Sequence, residues 1–450
     1  MELKGKKVLV VGLGRSGMSA ARFLRAQGAK VTVSDSRSAV ALAKDIPELL
    51  EAGIMVEAGG HGLLTFRRQD LIVISPGVPL DTPEVKQVMA LGMPVIGELE
   101  LAAQFLLGKV VAITGSNGKT TSTTLVGKIF EDAGLPTQVG GNIGLPVVEL
   151  IAEDSSETWD VLEVSSFQLE TIDEFRPKIA AVLNLTPDHL DRHGTFARYA
   201  AAKVRITENQ TADDFLVLNA EDKETQMVAA KTKAQIFWFS GRRPIKQGAF
   251  VYGESVVWLA REGGKAEPVM PVVEIPLKGE HNIENVLAAV TMARLAGVSS
   301  ESIRKTVGAF KAVEHRLELV KTINGVEFYN DSKATNVDAT MKALASFPRG
   351  VHLILGGKDK DSDYTLLSEL IRQRVSFVYT IGSAAEKIER QLAGVAKIES
   401  AGTLDVAVAR AKKQAVPGDV VLLAPACSSF DQFENYEHRG RVFRELVNQV

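Results

Sequence analysis

The sequence predicts an α/β protein in three sections, and three observations carry that prediction. Short apolar runs recur along the chain, each ending in Gly, Ser, Asp or Asn. They are apolar throughout rather than at alternate positions, the pattern of strands buried on both faces of a parallel sheet. Segments of helical character lie between many of them, at 17–27, 120–133 and 283–296 for example, and repeated strand–helix units define the α/β class.

The runs fall into three groups. The first comprises 7–11, 30–33 and 71–74; the second 110–114, 161–164, 179–184, 215–219 and 236–240; the third 326–329, 351–355, 377–381 and 420–424. Met93-Pro94-Val95-Ile96-Gly97 reads as the first boundary, before a helix carrying Glu98 and Glu100. A second boundary falls near 311, after a helical stretch and before new strand patterns. The expected sections are therefore 1–97, 98–311 and 312–450. Between 248 and 277, Gly-containing turns separate Phe250-Val251-Tyr252 from Val256-Val257-Trp258, which predicts a small antiparallel β subregion.

A chain of 450 residues fits about two to four domains. With 45% hydrophobic and 24% charged residues and a net charge of −3, it lacks the strongly basic balance of a nucleic-acid-binding surface. Cys427 is the single cysteine, so no intrachain disulfide forms and a reducing compartment fits. Met1-Glu2-Leu3-Lys4-Gly5 has no apolar signal core. No apolar run approaches the roughly 20 residues of a membrane helix. The expectation is a cytoplasmic monomer with small-molecule partners, no nucleic acid and no membrane insertion.

Two glycine-rich loops follow strands. In Gly12-Leu13-Gly14-Arg15-Ser16-Gly17 the glycines let backbone N–H groups approach a diphosphate at a helix N-terminus. Asp35 follows the next strand, 18 residues after Gly17, placed to bind a ribose hydroxyl or a base edge. This predicts a nucleotide without saying which; NAD is the natural first guess, and a tight turn with close helix packing is the alternative. The second loop is Thr114-Gly115-Ser116-Asn117-Gly118-Lys119-Thr120-Thr121. Its N–H groups would cradle phosphates, with Lys119 on the terminal phosphates and Thr120 Oγ1 on Mg²⁺. The strict motif wants glycine where Ile113 stands, so Gly-x-x-Gly-Lys-Thr is what remains.

Glu163 lies in the otherwise apolar strand Val161-Leu162-Glu163-Val164. A charge there is costly unless paired or bound to metal. Asn184-Leu185-Thr186-Pro187-Asp188-His189-Leu190-Asp191-Arg192-His193 leaves another strand end, where its histidines and aspartates could form a second metal site. His189 reads equally as ligand or helix cap, while Asp191 and His193 read as exposed loop. Lys203, in Tyr199-Ala200-Ala201-Ala202-Lys203, reads from spacing alone as a solvated helix residue.

In the last third, Tyr329-Asn330-Asp331-Ser332-Lys333-Ala334-Thr335-Asn336, Gly356-Gly357-Lys358-Asp359-Lys360 and Pro425-Ala426-Cys427-Ser428-Ser429-Phe430-Asp431-Gln432-Phe433 each follow a strand. Polar groups at three strand exits can converge on one crevice suited to an anionic substrate. Cys427 reads as a small buried thiol rather than a nucleophile.

Taken together these motifs resemble the Mur ligases of peptidoglycan synthesis over essentially the whole chain. The resemblance rests on Gly12 to Gly17, Ser75-Pro76-Gly77, the loop Thr114 to Thr121, and Gly140-Gly141-Asn142-Ile143-Gly144. It continues through Glu163-Val164-Ser165-Ser166-Phe167-Gln168-Leu169-Glu170, His281-Asn282-Ile283-Glu284-Asn285, Asn330 to Asn336, and the stretch from Ser428 to Arg439. It implies a Rossmann-like UDP-binding domain, a central P-loop-type ATPase and a Rossmann-like domain for the amino acid. It also accounts for the shortened phosphate loop, and Ser-Ser-Phe-Asp-Gln-Phe at 428–433 favours the branch that adds D-glutamate. Under it, Arg15, Ser16, Asp35, Ser36, Arg37, Ser75 and Gly77 take the uridine diphosphate, and Asn142, Ser165 and His189 the muramoyl–alanine end. Gly115, Ser116, Asn117, Gly118, Lys119, Thr120 and Thr121 take the ATP phosphates. Asn282, Asn285, Arg316, Asp331 and Lys333 take the rest of that nucleotide. Thr335, Lys360, Ser429 and the main chain at Tyr436, where the family often has Phe, take D-glutamate.

The resemblance further implies a carbamylated Lys203 and two Mg²⁺ ions, one near Thr120 and Glu163 and one near His189 and Lys203. The implied catalytic set is Lys119, Asn142, Glu163, His189 and Lys203. The implied reaction is ATP-dependent joining of D-glutamate to UDP-N-acetylmuramoyl-L-alanine through an acyl phosphate. Sister ligases that add other amino acids and folate polyglutamate ligases are the near rivals. An NAD-dependent oxidoreductase leaves Lys119 and Asn330 to Asn336 without a role. A non-catalytic phosphate-loop regulator would bind ATP without amino-acid-dependent turnover.

Overall fold

A computed structural model describes residues 1–230, 232–311 and 313–449. The expected start of the third section, 312, and the last residue, 450, lie outside the described residues.

The first sheet contains β1 (Lys7–Val11), β2 (Lys30–Asp35), β3 (Met55–Ala58), β4 (Leu71–Ile74) and β5 (Val95–Gly97), in the order β3-β2-β1-β4-β5. All its pairings are parallel. The chain leaves β1 for β2 on one side and later returns to β4 on the other. A crevice therefore opens beyond the C-terminal end of β1, where Gly12 to Gly17 lie. Met93 to Gly97 contains the edge strand β5, after which the helix Glu98–Ala103 begins.

The second sheet has nine strands: β6 (Lys109–Thr114), β7 (Thr137–Gly141), β8 (Trp159–Glu163), β9 (Ile179–Val182), β10 (Phe215–Asn219), β11 (Gln235–Ser240), β12 (Gly248–Tyr252), β13 (Ser255–Leu259) and β14 (Glu267–Pro271). Their order is β14-β13-β12-β11-β10-β9-β6-β8-β7. Strands β7 to β12 pair in parallel, whereas β12, β13 and β14 are antiparallel. The expected antiparallel subregion is therefore an extension of the main sheet. The phosphate loop leaves β6 at this sheet's own switch point, between β9 and β8.

The third sheet comprises β15 (Glu318–Ile323), β16 (Val326–Asn330), β17 (Val351–Gly356), β18 (Val375–Ile381), β19 (Lys397–Gly402) and β20 (Val420–Leu423), ordered β15-β16-β20-β17-β18-β19. Only β15 pairs antiparallel. The exits of β16, β17 and β20 are adjacent, so the three polar stretches that follow them meet.

The sections are joined in two different ways. One continuous apolar core runs from Val8 and Val33 of the first sheet through Leu99 and Leu101 to Leu162 and Val182 of the second. The helix Glu98–Ala103 bridges them. The cores of the third section contain only its own side chains. It meets the second through polar contacts, including Asn117 Nδ2 to Asp338 Oδ2 at 2.6 Å and Lys360 Nζ to Asp188 Oδ1 at 3.1 Å. Apolar burial, at about 25 cal/mol per Å², is difficult to undo, whereas polar groups that regain water separate at small net cost.

Candidate active site

Glycine is required where backbones come closest. A methyl group on Gly17 would stand 1.9 Å from the Gly12 carbonyl oxygen, and one on Gly118 would stand 2.2 Å from Asn285 Oδ1. Gly17 thus lets the helix Arg15–Ala26 start against the first loop, and Gly118 lets Asn285 close over the second.

Around the first loop lies a cleft of 1030 Å³, lined by Arg15, Ser16, Asp35, Ser36, Arg37, Ser75, Gly77 and Asn142. Asp35 accepts hydrogen bonds from Leu13 N at 2.7 Å and from Arg37 N and Nε at 2.8 and 3.0 Å. Burial pushes its carboxyl up, but these donors prevail and hold it below its usual range. Ser75 Oγ donates to Gly12 O at 2.7 Å, pinning one loop on the other.

A second chamber of 320 Å³ adjoins it, sharing Thr120, Asn142 and Tyr436. Lys119 Nζ donates to Gly115 O at 2.8 Å and Ser116 O at 3.0 Å. Glu163 accepts from Thr120 Oγ1 at 2.7 Å and Asn142 Nδ2 at 2.8 Å. Burial raises the Glu163 pKa, and Lys333 and Lys119 more than reverse it, so the carboxylate stays charged. Lys333 reaches across from the third section to the Thr120 hydroxyl, and burial lowers its pKa to about 8.

His189 heads the short helix Leu190–His193 with φ of 52°, a left-handed backbone that is strained for any residue with a side chain. Burial takes its pKa down to about 4, so the ring is neutral at pH 7. Its neighbour Asp188 accepts from Asn336 Nδ2 at 2.9 Å and Lys360 Nζ at 3.1 Å.

Two expectations fail here. His193 is not exposed: it is packed against Phe167 and Tyr199 and bonded to Ser166 Oγ at 3.0 Å. Asp191 does face solvent. Lys203 is not solvated either: its helix Phe196–Val204 turns it inward, leaving it 2% exposed. Its Nζ donates to Gly115 O at 2.9 Å and lies 4.8 Å over the Tyr199 ring. Burial and the Lys119 charge drive its pKa well below the ordinary lysine value.

From the third section Thr335, Lys360, Ser429 and Tyr436 line the same chamber, as does Ser165 of the second. Asn282, Asn285 and Asp331 gather instead around a gap of 30 Å³ behind the phosphate loop, and Arg316 lines both this gap and the chamber. Cys427 is fully buried, and burial raises its thiol pKa to about 12, in keeping with an inert thiol. The residue-by-residue reading missed Tyr199, which donates to Ser116 Oγ at 3.0 Å. Its one signal was the i, i+4 spacing to Lys203. It also missed Arg439, which is fully buried and bonds the Ser332 and Cys427 carbonyls at 2.8 and 3.1 Å.

Fold and site define a phosphate-loop enzyme of the α/β class with two further α/β sections facing its nucleotide loop. Three family models match the chain: the Mur ligase MurD-like N-terminal domain over residues 6–97, the Mur ligase middle domain over 113–293, and the Mur ligase glutamate ligase domain over 315–427. The chain belongs to the Mur ligase family. It is 66% identical to UDP-N-acetylmuramoylalanine--D-glutamate ligase of Acidobacterium capsulatum, over 99% of this chain and 97% of that protein. To the protein of the same name from Koribacter versatilis it is 59% identical, over 100% of this chain and 99% of that protein. Among solved structures, the MurF ligase of Thermotoga maritima in complex with ADP shares the fold with a TM-score of 0.60 and 16% identity, over 100% of this chain and 97% of that one. No described helix is long and apolar enough to cross a membrane.

Proposed function

We propose that this chain is an ATP-dependent ligase that joins D-glutamate to UDP-N-acetylmuramoyl-L-alanine in peptidoglycan precursor synthesis, releasing ADP and phosphate. The observation that carries the reading is the make-up of the 320 Å³ chamber. A phosphate-loop lysine, a buried carboxylate and the cationic and hydroxyl groups of a separate section face one space, beside a cleft roomy enough for a nucleotide-linked substrate. The names of the relatives at 66% and 59% identity support this substrate pair.

In this reading residues 1–97 hold the UDP end, 98–311 hold ATP and 312–450 hold the amino acid. Arg15, Ser16, Asp35, Ser36, Arg37, Ser75 and Gly77 bind uridine diphosphate, while Asn142, Ser165 and His189 direct the alanine carboxylate into the chamber. Lys360, Thr335, Ser429 and the main chain at Tyr436 receive D-glutamate. A cytoplasmic location and a monomeric state belong to the same proposal.

The donor set fits Mg²⁺. Among the described residues no group of three or more His, Cys, Asp or Glu is placed to hold a metal, and Mg²⁺ takes one or two protein carboxylates beside substrate phosphates. Thr120 and Glu163 would hold one ion. His189, with its neutral ring, and Lys203 would hold the other. The Lys203 amine has no carboxylate partner among the described residues, and an uncharged amine can add CO₂ to become a carbamate. When bound, the ions would offset the charge that builds on the transferred phosphoryl group.

The alanine carboxylate forms a bond to the γ-phosphorus as the bond to the ADP oxygen breaks. Lys119 and Lys333, whose charges both act on Glu163, offset the negative charge gathered there. The free amine of D-glutamate then adds to the acyl carbon, the carbon–oxygen bond to phosphate breaks, and the proton lost from nitrogen leaves on the departing phosphate. Acyl phosphates hydrolyse readily, so the third section has to cover the loop, as it does here. The 30 Å³ gap at Asn282, Asn285, Arg316 and Asp331 is too narrow for a nucleoside. The nucleotide therefore enters only when the third section swings away, which its polar contacts permit.

The test is ADP release with UDP-N-acetylmuramoyl-L-alanine, ATP and a panel of amino acids. Turnover dependent on D-glutamate is the expected result. Turnover with L-alanine, L-lysine or diaminopimelate instead would assign a sister activity, and no amino-acid dependence would end the ligase reading.

A further inference from the structure

We infer that Arg192 is a positioning residue that sets the register between the UDP-binding loop and the carboxylate-activating chamber. The inference rests on the proposed reading of the two cavities and deepens it. Arg192 lies on the short helix Leu190–His193 that follows His189. Its Nη2 donates to Val78 O at 3.0 Å and its Nη1 reaches Gly77 O at 3.5 Å. Both carbonyls belong to the loop that lines the large cleft, in the other section. The same guanidinium donates to Glu170 Oε2 at 3.2 Å and lies 5.0 Å over the Phe167 ring. Its side chain is only 16% exposed.

Each partner of Arg192 leads to one of the two cavities. On the cleft side, the Val78 side chain and Ser75 crowd Gly12, where a methyl group would meet Val78 Cγ2 at 2.6 Å and Ser75 Cβ at 3.2 Å. The loop that Arg192 holds is thus packed on the first glycine loop. On the chamber side, Phe167 meets the His189 ring edge-on at 5.0 Å and stacks on His193 at 5.4 Å. Glu170 Oε1 lies 3.4 Å from His193 Nδ1, and His193 bonds Ser166 Oγ at 3.0 Å. A planar five-donor guanidinium can bond two carbonyls and a carboxylate while stacking on a ring; a lysine ammonium cannot match that geometry.

The substrate is one molecule held at both ends, with its uridine at residues 35–37 and its carboxylate near His189. The register between the sections therefore decides whether the carboxylate reaches the reacting phosphorus. A displacement of about 1 Å can lower a rate by roughly 10²-fold. Uridine diphosphate alone touches only one end and is indifferent to that register.

The experiment measures Arg192→Met and Arg192→Lys by steady-state kinetics and by calorimetric titration with UDP. Arg192→Met is expected to lower kcat/KM for UDP-N-acetylmuramoyl-L-alanine by roughly 30-fold, within the range misplacement produces. The UDP Kd and the KM for ATP should stay within about twofold, and Arg192→Lys should fall between. A kcat/KM within twofold of wild type overturns the inference, as does a UDP Kd that rises in parallel. If Arg192→Met does not fold, Glu170→Ala removes one anchor of the guanidinium and should shift the same ratio in the same direction by a smaller factor; no shift overturns the inference equally. Wild-type protein without D-glutamate-dependent ADP release would sink the functional reading instead, a result visible before any variant is made.

Discussion

Glu163 and Asp160 stand three residues apart on β8, both shut off from solvent. Burial pushes both carboxyls towards protonation. At Glu163, Lys333 and Lys119, with hydrogen bonds from Asn142 and Thr120, reverse the effect and keep the group charged. At Asp160 the neighbouring Asp154 charge adds to burial, and the pKa rises to about 7. Depth within a sheet therefore does not make a site. Loops converge at the C-terminal end of a parallel strand, and they bring cations and donors with them. At the N-terminal end of β8 no such donor among the described residues reaches the Asp160 carboxyl.

The same isosteric change at the two ends tests this contrast. Glu163→Gln keeps the shape but removes the charge, and it sets an amide against the Asn142 donor. Turnover should fall about 10³-fold, the scale seen when one electrostatic contact to a transition state is lost. The melting temperature should fall as well, because the fold holds this carboxyl below its usual range and the change leaves Lys119 and Lys333 without their buried counter-charge. Activity within tenfold of wild type would remove Glu163 from the catalytic set.

Lys203→Ala tests the chamber at the same end. With the proposed carbamate gone, turnover should drop by roughly 10²-fold or more and recover in part when formate or acetate supplies a carboxylate. A variant that turns over normally, or one that no small carboxylate restores, argues against a carbamate.

The same end-of-strand logic governs what could be read in the sequence. Interior strands such as β1, β6 and β17 are buried on both faces and stand out as apolar runs. β3, β5, β7, β15 and β19 were not read as strands, and each is a sheet edge. Edge strands keep solvent-facing residues, as in Glu318-Leu319-Val320-Lys321-Thr322-Ile323 and Lys397-Ile398-Glu399-Ser400-Ala401-Gly402, which blurs the pattern. The phosphate loop and Glu163 were legible because the chemistry is contiguous or the charge sits within an apolar run. Lys203 and His193 were not, because their burial comes from the docking of the helix Phe196–Val204 on the phosphate loop and of Phe167 on His193, which local spacing does not encode.

Asp160 carries the smallest expected effect and the sharpest form of the contrast. Neither of its carboxylate oxygens accepts a hydrogen bond from a described residue, and the facing Gln138 Nε2 is likewise unpaired. A methyl group on Gly108 would touch Asp160 Oδ2 at 2.6 Å and Asp154 Oδ1 at 2.7 Å, so the two carboxyls flank one glycine. Asp154 also accepts from Gly108 N at 3.1 Å and Ser155 N at 2.8 Å, which suits it to hold the charge. The folded pKa of Asp160 lies above its unfolded value of 3.8. Between the two values the folded chain keeps a proton that the unfolded chain has lost, so stability falls as pH rises from about 4 to about 7 and the cost is fully present above that. Three pKa units correspond to a ceiling of about 4 kcal/mol. Asp160→Asn supplies a permanent N–H donor for Asp154 and abolishes the titration. Its melting temperature should match wild type near pH 4, at the unfolded value, and exceed it at pH 8 by on the order of 5 °C, with turnover at pH 8 unchanged. An equal difference at the two pH values would mean that no proton is held there. A loss of turnover comparable to that of Glu163→Gln would mean that the two ends of β8 are not as separate as their surroundings make them.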